Sequence, residues 1–190
     1  LFAVGTAKRV MGAGLGSAAE MQRLVARVLQ NVRDPAERKR LGPEFRKLIE
    51  SEAARSGLSR GEIGQGLFDQ ISAAGAGAES LQDFKDAVET AVASTANLSD
   101  VIVGINKVQE NFDLKRGGGR QIGMALVAAQ AFGITDVGQI SAALPQVAGS
   151  AAAFNITPTQ LIATMAAASK RLGSTAEGTT AIRIAGRAAA

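Results

Sequence analysis

Apolar residues recur at spacings of three and four along most of the 190-residue chain. This spacing places their side chains on one face of an α-helix, and no segment shows the strict alternation of a half-buried strand. Four such stripes stand out: Met21, Leu24, Val28 and Val32; Leu81, Phe84, Val88, Ala91 and Thr95; Val101, Ile105, Val108 and Phe112; and Leu161, Met165, Ala168 and Leu172. The pattern predicts an all-α fold whose helices pack lengthwise against one another.

Capping residues indicate where these helices begin. Thr157 precedes Pro158 and stands three residues before Gln160, which predicts a reciprocal capping box with proline at the first helical position. The same three-residue spacing joins Ser59 to Glu62 and Ser174 to Glu177. Further caps are predicted at positions that open an apolar run with an acid in the first turn: Ser80 with Asp83, Ser99 with Asp100, and Thr135 with Asp136.

Periodicity and caps together predict ten helices. They span residues 17–33, 35–41, 43–56, 59–74, 80–96, 99–114, 119–132, 135–153, 157–171 and 174–188. We expect Pro145 to kink or break its helix near Ala143, because proline lacks the N–H that an interior turn needs. The run Gly117-Gly118-Gly119 is predicted to be a flexible hinge.

One form of junction recurs between the predicted helices: a Gly or Asn, an aliphatic residue, then a Ser or Thr. It occurs at Gly57-Leu58-Ser59, Asn97-Leu98-Ser99, Gly133-Ile134-Thr135 and Asn155-Ile156-Thr157. The Gly or Asn ends one helix in the left-handed conformation, and the hydroxyl residue starts the next. The sequence therefore predicts short antiparallel helices in an extended or oligomeric protein.

Charge is distributed unevenly along the chain. Residues 1–120 hold 17 basic and 15 acidic side chains, whereas residues 121–190 hold four and two, and none lies between 137 and 169. We predict a basic helical segment, a linker or ruler-like element, over 1–56, and a helical domain with the glycine hinge over 57–190. The charge-free stretch indicates packing in a buried hairpin or between subunits. Its interspersed Gln, Ser, Asn, Thr and Pro residues argue against a membrane-spanning helix.

Composition gives little support to catalysis. The chain has no Cys and no His, which removes thiolate chemistry and the side chain most used for proton transfer near neutral pH. Gly12-Ala13-Gly14-Leu15-Gly16 follows no predicted strand, so it is not a phosphate-binding loop. We read four carboxylates as exposed helix-face charges offset by Arg38, Arg46 and Lys47: Asp34, Glu37, Glu50 and Glu52. The sequence thus indicates no catalytic, cofactor-binding or metal-binding residue.

Two basic or glycine-rich features also have a structural interpretation. The cluster from Lys115 to Arg120 could touch phosphate, but it lacks the interleaved aromatic residues of a single-strand binder, and we read it as a solvated hinge. Gly61, Gly64 and Gly66 lie near the start of one predicted helix. We expect them to allow another helix to approach closely.

The order of junctions resembles the core region of phage tail tape-measure proteins over residues 53–187. The resemblance is clearest from Gly133-Ile134-Thr135 through Leu144-Pro145-Gln146-Val147-Ala148 and Ala151 to Asn155-Ile156-Thr157, then Leu161-Ile162-Ala163. A terminal Ser174-to-Glu177 helix with Thr180-Ala181-Ile182-Arg183 follows. Two positions depart from the family pattern: Gly173 is displaced by one residue, and Asn155 stands where Gly is usual.

The resemblance implies a structural protein of the virion, not an enzyme. It implies a piece of a chain that sets tail length, fills the tail tube or tip as several parallel copies, such as a trimer, and leaves ahead of the DNA. The implied partners are other copies of itself, tail tube, distal tail and hub or baseplate proteins, and tail assembly chaperones, with host membrane contact and no specific nucleic acid sequence. The implied location is the tail lumen or tip, after assembly in the host cytoplasm. The chain begins with Leu1, which we take to indicate a fragment; as one straight helix it would reach at most about 285 Å.

Two other functions stay open at this stage. The charge-free stretch and the basic segment 1–56, which holds 11 basic and six acidic residues, suit a membrane-interacting helical protein that assists genome delivery or pore formation. An enzyme that uses Asp or Glu with Lys would need a pocket with paired, buried carboxylates. The sequence shows no sign of such a pocket.

Overall fold

The computed structural model of the chain describes residues 18–132 and 135–189, with side chains as far as residue 186. This part of the chain forms nine helices and contains no strand, which confirms the predicted all-α class. The helices are α1 (18–29), α2 (Pro35–Ser56), α3 (Arg60–Ala74), α4 (Ala78–Ser94), α5 (Leu98–Asn111), α6 (Gly119–Phe132), α7 (Val137–Ala153), α8 (Pro158–Leu172) and α9 (Thr175–Ala189).

The chain divides into two compact units, residues 1–68 and 69–190. The division falls inside α3, whereas the sequence placed a boundary at 56/57, in the junction between α2 and α3. In the first unit, α1 approaches α3 where the side chain of Leu24 lies over Gly64. One turn further along, the guanidinium carbon of Arg27 lies 4.7 Å from the centre of the Phe68 ring. Of the three glycines predicted to allow close helix approach, Gly64 does so for the Leu24 side chain, whereas a Cβ added at Gly61 would meet only the Ser59 hydroxyl.

Neither internal proline divides its helix. The prediction of separate helices over 35–41 and 43–56 is wrong, because α2 runs through Pro43. A break near Ala143 is also wrong, because α7 continues through Pro145. An interior proline costs about 3 kcal/mol. Residues buried on both sides of each proline offset that cost by continuing one packed face: Leu41, Phe45 and Ile49 in α2, and Ile140, Leu144 and Val147 in α7.

Three predicted caps are observed. The Thr157 hydroxyl accepts from the backbone N–H of Gln160 at 3.3 Å, and the side-chain oxygen Oε1 of Gln160 accepts from the Thr157 N–H at 2.9 Å. Ser59 and Glu62 form the same reciprocal pair, at 3.2 and 2.9 Å. The Ser174 hydroxyl accepts from the Glu177 N–H at 3.2 Å, which is one half of a capping box.

Three other predicted caps are wrong. Ser80 lies inside α4, which begins after Gly77, and its hydroxyl accepts from the Gln70 side chain. The cap of α5 is Asn97, whose side-chain oxygen accepts from the backbone N–H groups of Ser99 and Asp100.

The cap of α7 is Asp136 and not Thr135. Its carboxylate accepts from the Gln139 N–H at 2.8 Å. Thr135 instead bonds the hydroxyl of Thr175, so this predicted cap joins two distant segments. In each of the three errors a neighbouring Asn, Asp or Gly takes the capping position, and the hydroxyl residue bonds elsewhere.

Two of the four predicted junctions have the expected conformation. Gly57 (φ 76°) and Asn155 (φ 55°) are left-handed, and each is followed two residues later by a capping Ser or Thr. Before α5 the left-handed residue is Thr95 (φ 56°), since Asn97 caps the next helix. The first two residues of the Gly133-Ile134-Thr135 junction lie outside the described part of the chain.

The second unit has a core of aliphatic side chains around a single buried phenyl group, Phe84. The most extensive helix contacts join α5 to α7, α8 to α9 and α4 to α6. The other large buried side chains are Ile71, Val88, Leu98, Val101, Ile102, Ile105, Val108, Ile122, Leu126, Val137, Ile140, Leu144, Val147, Leu161, Ile162 and Met165. On α9 the buried face is small and polar and consists of Thr175, Gly178 and Thr179.

Small residues stand where these helices cross. At the α5–α7 contact, a Cβ added to Gly104 would lie 2.8 Å from the Ser141 Cβ and 2.9 Å from its Cα. On α9, a Cβ at Gly178 would lie 2.9 Å from the backbone nitrogen of Ser169 on α8. These distances are shorter than real carbon contacts allow, so the helix backbones approach too closely for any side chain at either glycine.

A methyl group at Gly104 should therefore destabilise the fold although alanine is the better helix former. We expect Gly104→Ala to lower the free energy of unfolding by about 2 kcal/mol, because Ser141 backbone atoms cannot move aside as a flexible side chain would. Urea denaturation followed by circular dichroism measures the change.

Gly186→Ala is the matched control. Its added Cβ would make only ordinary contacts, at 3.5 Å from Ser150 and 3.6 Å from Phe154. It should leave stability unchanged or raise it by about 0.5–1 kcal/mol through helix propensity. An equal effect of both substitutions would contradict the close-crossing argument.

Candidate functional site

The candidate site is an open, mostly apolar groove between α6 and α8 of the second unit, which we name the α6–α8 groove. It comprises two adjoining cavities of about 330 and 520 Å³ that share Ala125 and Thr159. The first is further lined by Leu114, Lys115, Gly118, Gln121, Ile122, Pro158 and Ile162. The second is further lined by Ala128, Ala129, Phe132, Ala163, Ala166, Ala167 and Lys170. No carboxylate lines either cavity.

The charge-free stretch predicted from sequence contributes one wall of this groove. Residues 137–169 form α7 and most of α8, and the α8 residues between Pro158 and Ala167 line the groove. The opposite wall, on α6, has no charged residue after Arg120. In the described part of the chain no helix is long and apolar enough to cross a membrane.

Two large apolar side chains of α6 face solvent. Phe132, at the edge of the groove, is 76% exposed, and Met124 is 65% exposed. Leu172, which the sequence placed on the buried stripe of α8, is also exposed. The buried face of α8 is instead formed by Leu161, Ile162, Met165, Ala166 and Ser169. Of these side chains only Phe132 lines the groove, which thus combines small walls with one exposed aromatic side chain, a combination typical of contact surfaces.

The glycine run before α6 is anchored to α4 by a buried carboxylate. Asp83 is fully buried and accepts hydrogen bonds from the backbone N–H groups of Gly117, at 3.0 Å, and Gly119, at 2.8 Å. Hinge motion of this run stays a prediction, but any opening must break both bonds. The anchor fixes the start of α6 and therefore one wall of the groove.

The neighbouring basic cluster is only partly solvated. Lys115 and Arg120 are exposed, as predicted, but the Arg116 guanidinium turns inward. It donates to the side-chain oxygens of Gln109, at 2.8 Å, and Asn106. Asn106 in turn donates to Gln70 at 2.8 Å. Arg116 therefore belongs to a buried polar network and not to a phosphate-binding surface.

Asp86 lies one helical turn after Asp83 and is also buried. Burial raises the pKa of its carboxyl above the ordinary value of 3.8, although hydrogen bonds from the Gln82 side chain and the Arg120 backbone oppose the shift. The charge of Asp83 adds to the increase. Asp86 borders a shallow cavity of about 220 Å³ with Glu89, Thr90 and Arg120.

The enzyme hypothesis required paired, buried carboxylates, and Asp83 and Asp86 are such a pair. Both are engaged as caps at the start of α6, which accounts for their burial without a substrate. In residues 18–132 and 135–189, no group of three or more acidic, His or Cys side chains could hold a metal ion. Gly12 to Gly16 lies outside the described residues.

The carboxylates of the first unit differ in part from the sequence-based interpretation. Glu37 is only partly exposed, and the basic side chain beside it is Arg40, at 3.8 Å. Glu52, predicted to be exposed, is buried and pairs with Arg55 at 2.6 Å. Asp34 is the N-cap of α2 and accepts from the Ala36 N–H at 2.9 Å. Glu50 is exposed, as predicted.

The sequence analysis missed the buried role of Asp83 and Asp86, although a signal was present. Asp83, Asp86, Thr90 and Ser94 follow one another at helical spacing directly beside the apolar stripe of α4. All four are buried. A polar stripe bordering an apolar one indicates buried hydrogen-bond partners elsewhere in the chain, since buried polar groups are rarely left unpaired.

Removing the Asp83 carboxylate should loosen the start of α6. We expect Asp83→Ala to lower the free energy of unfolding by about 3 kcal/mol, because two buried N–H groups lose a charged acceptor. Amide hydrogen exchange at Gly117 and Gly119 should accelerate even under conditions where the remaining protein stays folded. Asp100→Ala, which removes a partly exposed acid from the first turn of α5, serves as the control and should have a far smaller effect. Unchanged exchange at both glycines would rule out the anchor.

Asp86 should make stability depend on pH in a defined direction. Its raised pKa means that the folded state holds the proton more tightly, so stability falls as pH rises from 3.8 through the folded-state pKa. Above that range the cost of burying the charge stays constant. Asp86→Asn keeps an acceptor oxygen without the charge.

The stability of the Asn variant relative to wild type should therefore increase from about pH 3.5 to about pH 7. Urea unfolding at both pH values measures this difference. A difference that is constant or that shrinks toward pH 7 would show that burial of the charge is not the dominant effect.

Comparison of the chain with protein-family models, with curated proteins and with solved structures finds no match in any of the three. Functional inference therefore depends on the residues and surfaces described above.

Proposed function

We propose that this chain is a segment of a phage-type tail tape-measure protein that acts structurally, through helix packing and assembly. The observation that carries the proposal is the series of short helices with tight capped junctions, two of which, α6 and α8, form a groove that no carboxylate lines. The ordered junction residues from Thr135 to Arg183 are those that resemble the tape-measure core region. A protein of this kind needs surfaces that pack against other copies and against surrounding walls.

The finer proposal concerns arrangement and partners. Successive helices run antiparallel, and several copies assemble, for example as a trimer. They lie in the tail tube or at its tip beside tube, distal tail and hub or baseplate proteins. In the host cytoplasm, tail assembly chaperones bind the chain until the tail is assembled. During genome delivery the chain leaves the tail ahead of the DNA. Exposed Phe132 and Met124 are available for such contacts.

Tail length provides the direct test. Residues 69–190 should be deleted in frame from the parent gene and, in a second strain, duplicated. If the segment acts as ruler, tails should shorten or lengthen by up to about 180 Å, the rise of a straight helix of that length. If it belongs to the tip, the deletion should abolish tail completion. Electron microscopy of purified particles measures both outcomes.

Tails of normal length and infectivity in both strains would contradict the proposal. Sedimentation and cross-linking of the purified chain give an independent check, since assembly as several copies predicts self-association. A stable monomer without affinity for tail tube or tip proteins would count equally against it.

A second candidate is a membrane-interacting helical protein that assists genome delivery or pore formation. The specific observation in its favour is the exposure of Met124 and Phe132 on a helix without charge after Arg120. Flotation with anionic vesicles separates the two functions. Failure to bind such vesicles would eliminate the membrane function for this segment.

A further inference from the structure

We propose that the α6–α8 groove binds a helix of another protein that has an apolar face and an acidic residue near each end. The partner is defined by its chemistry alone, so the inference goes beyond the tail function and does not depend on it. Three properties of the groove support it: its small apolar walls, its closed backbone hydrogen bonding, and its charge pattern.

The walls of the wider cavity leave room for large side chains of a partner. Six alanines and the exposed Thr159 form most of its lining, and Phe132 lies at one edge. The volume of about 520 Å³ is several times that of one leucine side chain. Two or three leucine or methionine side chains at helical spacing would fill it, with Phe132 closing over them.

The backbone of the groove selects a helix and not an extended strand. Both walls are α-helices, whose N–H and C=O groups bond within their own helix. They present no unpaired backbone edge to which a strand could add. An occupant buried there must therefore satisfy its own backbone hydrogen bonds, as a helix does.

The charges at the two ends are complementary to acidic groups. Lys115 lines the end formed by the start of α6 and α8, and Lys170 lines the opposite end. Both lysines are exposed, and no carboxylate lines either cavity. An apolar helix with one acid near each terminus would pair with both lysines, whereas a helix with basic ends would be repelled at both.

The groove also sets the length of the occupant. It follows α6 from Gln121 to Phe132, which is about three helical turns or roughly 16 Å. A partner helix of about four turns would therefore place its acidic residues beyond the apolar floor, within reach of the two lysines. A lipid acyl chain has a single anionic end and would leave one lysine unpaired.

The test uses two dye-labelled synthetic helices of about four turns. Both carry Leu at helical spacing on one face and Ala and Gln elsewhere; one has Glu at both ends and the other has Lys. Fluorescence anisotropy measures their affinity for the intact chain. We expect the Glu-ended peptide to bind at least about tenfold more tightly than the Lys-ended peptide.

Two matched variants on α8 locate the binding site. Ala167→Glu places bulk and negative charge in the groove and should abolish binding of the Glu-ended peptide. Thr164→Glu introduces the same side chain at an exposed position of the same helix that does not line the groove, and should bind as wild type does. Circular dichroism of both variants verifies that they are folded.

A charge-reversed protein tests the lysines separately. The double variant Lys115→Glu with Lys170→Glu should prefer the Lys-ended peptide, which inverts the wild-type order. The proposal is overturned if the wild type binds neither peptide, if it binds both equally, or if Ala167→Glu and Thr164→Glu bind alike.

A lipid occupant gives a distinct result. The wild type and the Thr164→Glu variant would then bind to vesicles of phosphatidylcholine and phosphatidylglycerol, whereas Ala167→Glu would not. Neither peptide would displace the protein from the vesicles. That result would also overturn the helix proposal. Tail length in the deletion strains is independent of each of these outcomes.

Discussion

Close approach between helix backbones is the constraint on which the second unit depends. At the α5–α7 crossing, Gly104 lies so near the Ser141 backbone that no side chain fits between the two helices. Gly178 on α9 meets the backbone of α8 in the same way. A chain with seven aromatic residues cannot fill wide gaps between helices. It gains packing by bringing helices together, so that many short contacts replace a few large side chains.

The second organising element is the buried carboxylate pair at the start of α6. Asp83 and Asp86 bring the polar face of α4 to backbone N–H groups that no residue of α6 itself can satisfy. The raised pKa of Asp86 reflects the free-energy cost of burying its negative charge, which the hydrogen bonds to the carboxylate offset only in part. It is tolerated because it sets where α6 begins. The position of α6 in turn determines the groove that it shares with α8.

Much of the fold follows from local rules that the sequence displays. Thr157 and Ser59 cap helices because their partners Gln160 and Glu62 stand at the correct spacing, and such short-range chemistry needs no knowledge of the tertiary structure. Ser80 and Ser99 show where local rules stop. Both could cap a helix, but tertiary partners, Gln70 and Asp69, bind their hydroxyl groups instead.

The same limit applies to the prolines and to the surface. Proline rules predict interruption at Pro43 and Pro145, and packing on either side of each residue prevails over them. Apolar spacing places Leu172 on the buried stripe, yet α8 ends at this residue and the side chain faces solvent. The groove could not be predicted at all, because α6 and α8 are separated in sequence by the whole of α7. Only the scarcity of charge on these helices was visible beforehand.

That scarcity of charge has a consequence for how the protein responds to its surroundings. Ion pairs form within α2 and α5, whereas the described residues after Arg120 contain none. Packing among α6, α7 and α8 should therefore be nearly indifferent to ionic strength, since dissolved salt screens only charge. Lys115 and Lys170 on the groove remain fully subject to it. A change of salt would thus alter what this surface attracts while leaving the helices that form it in place.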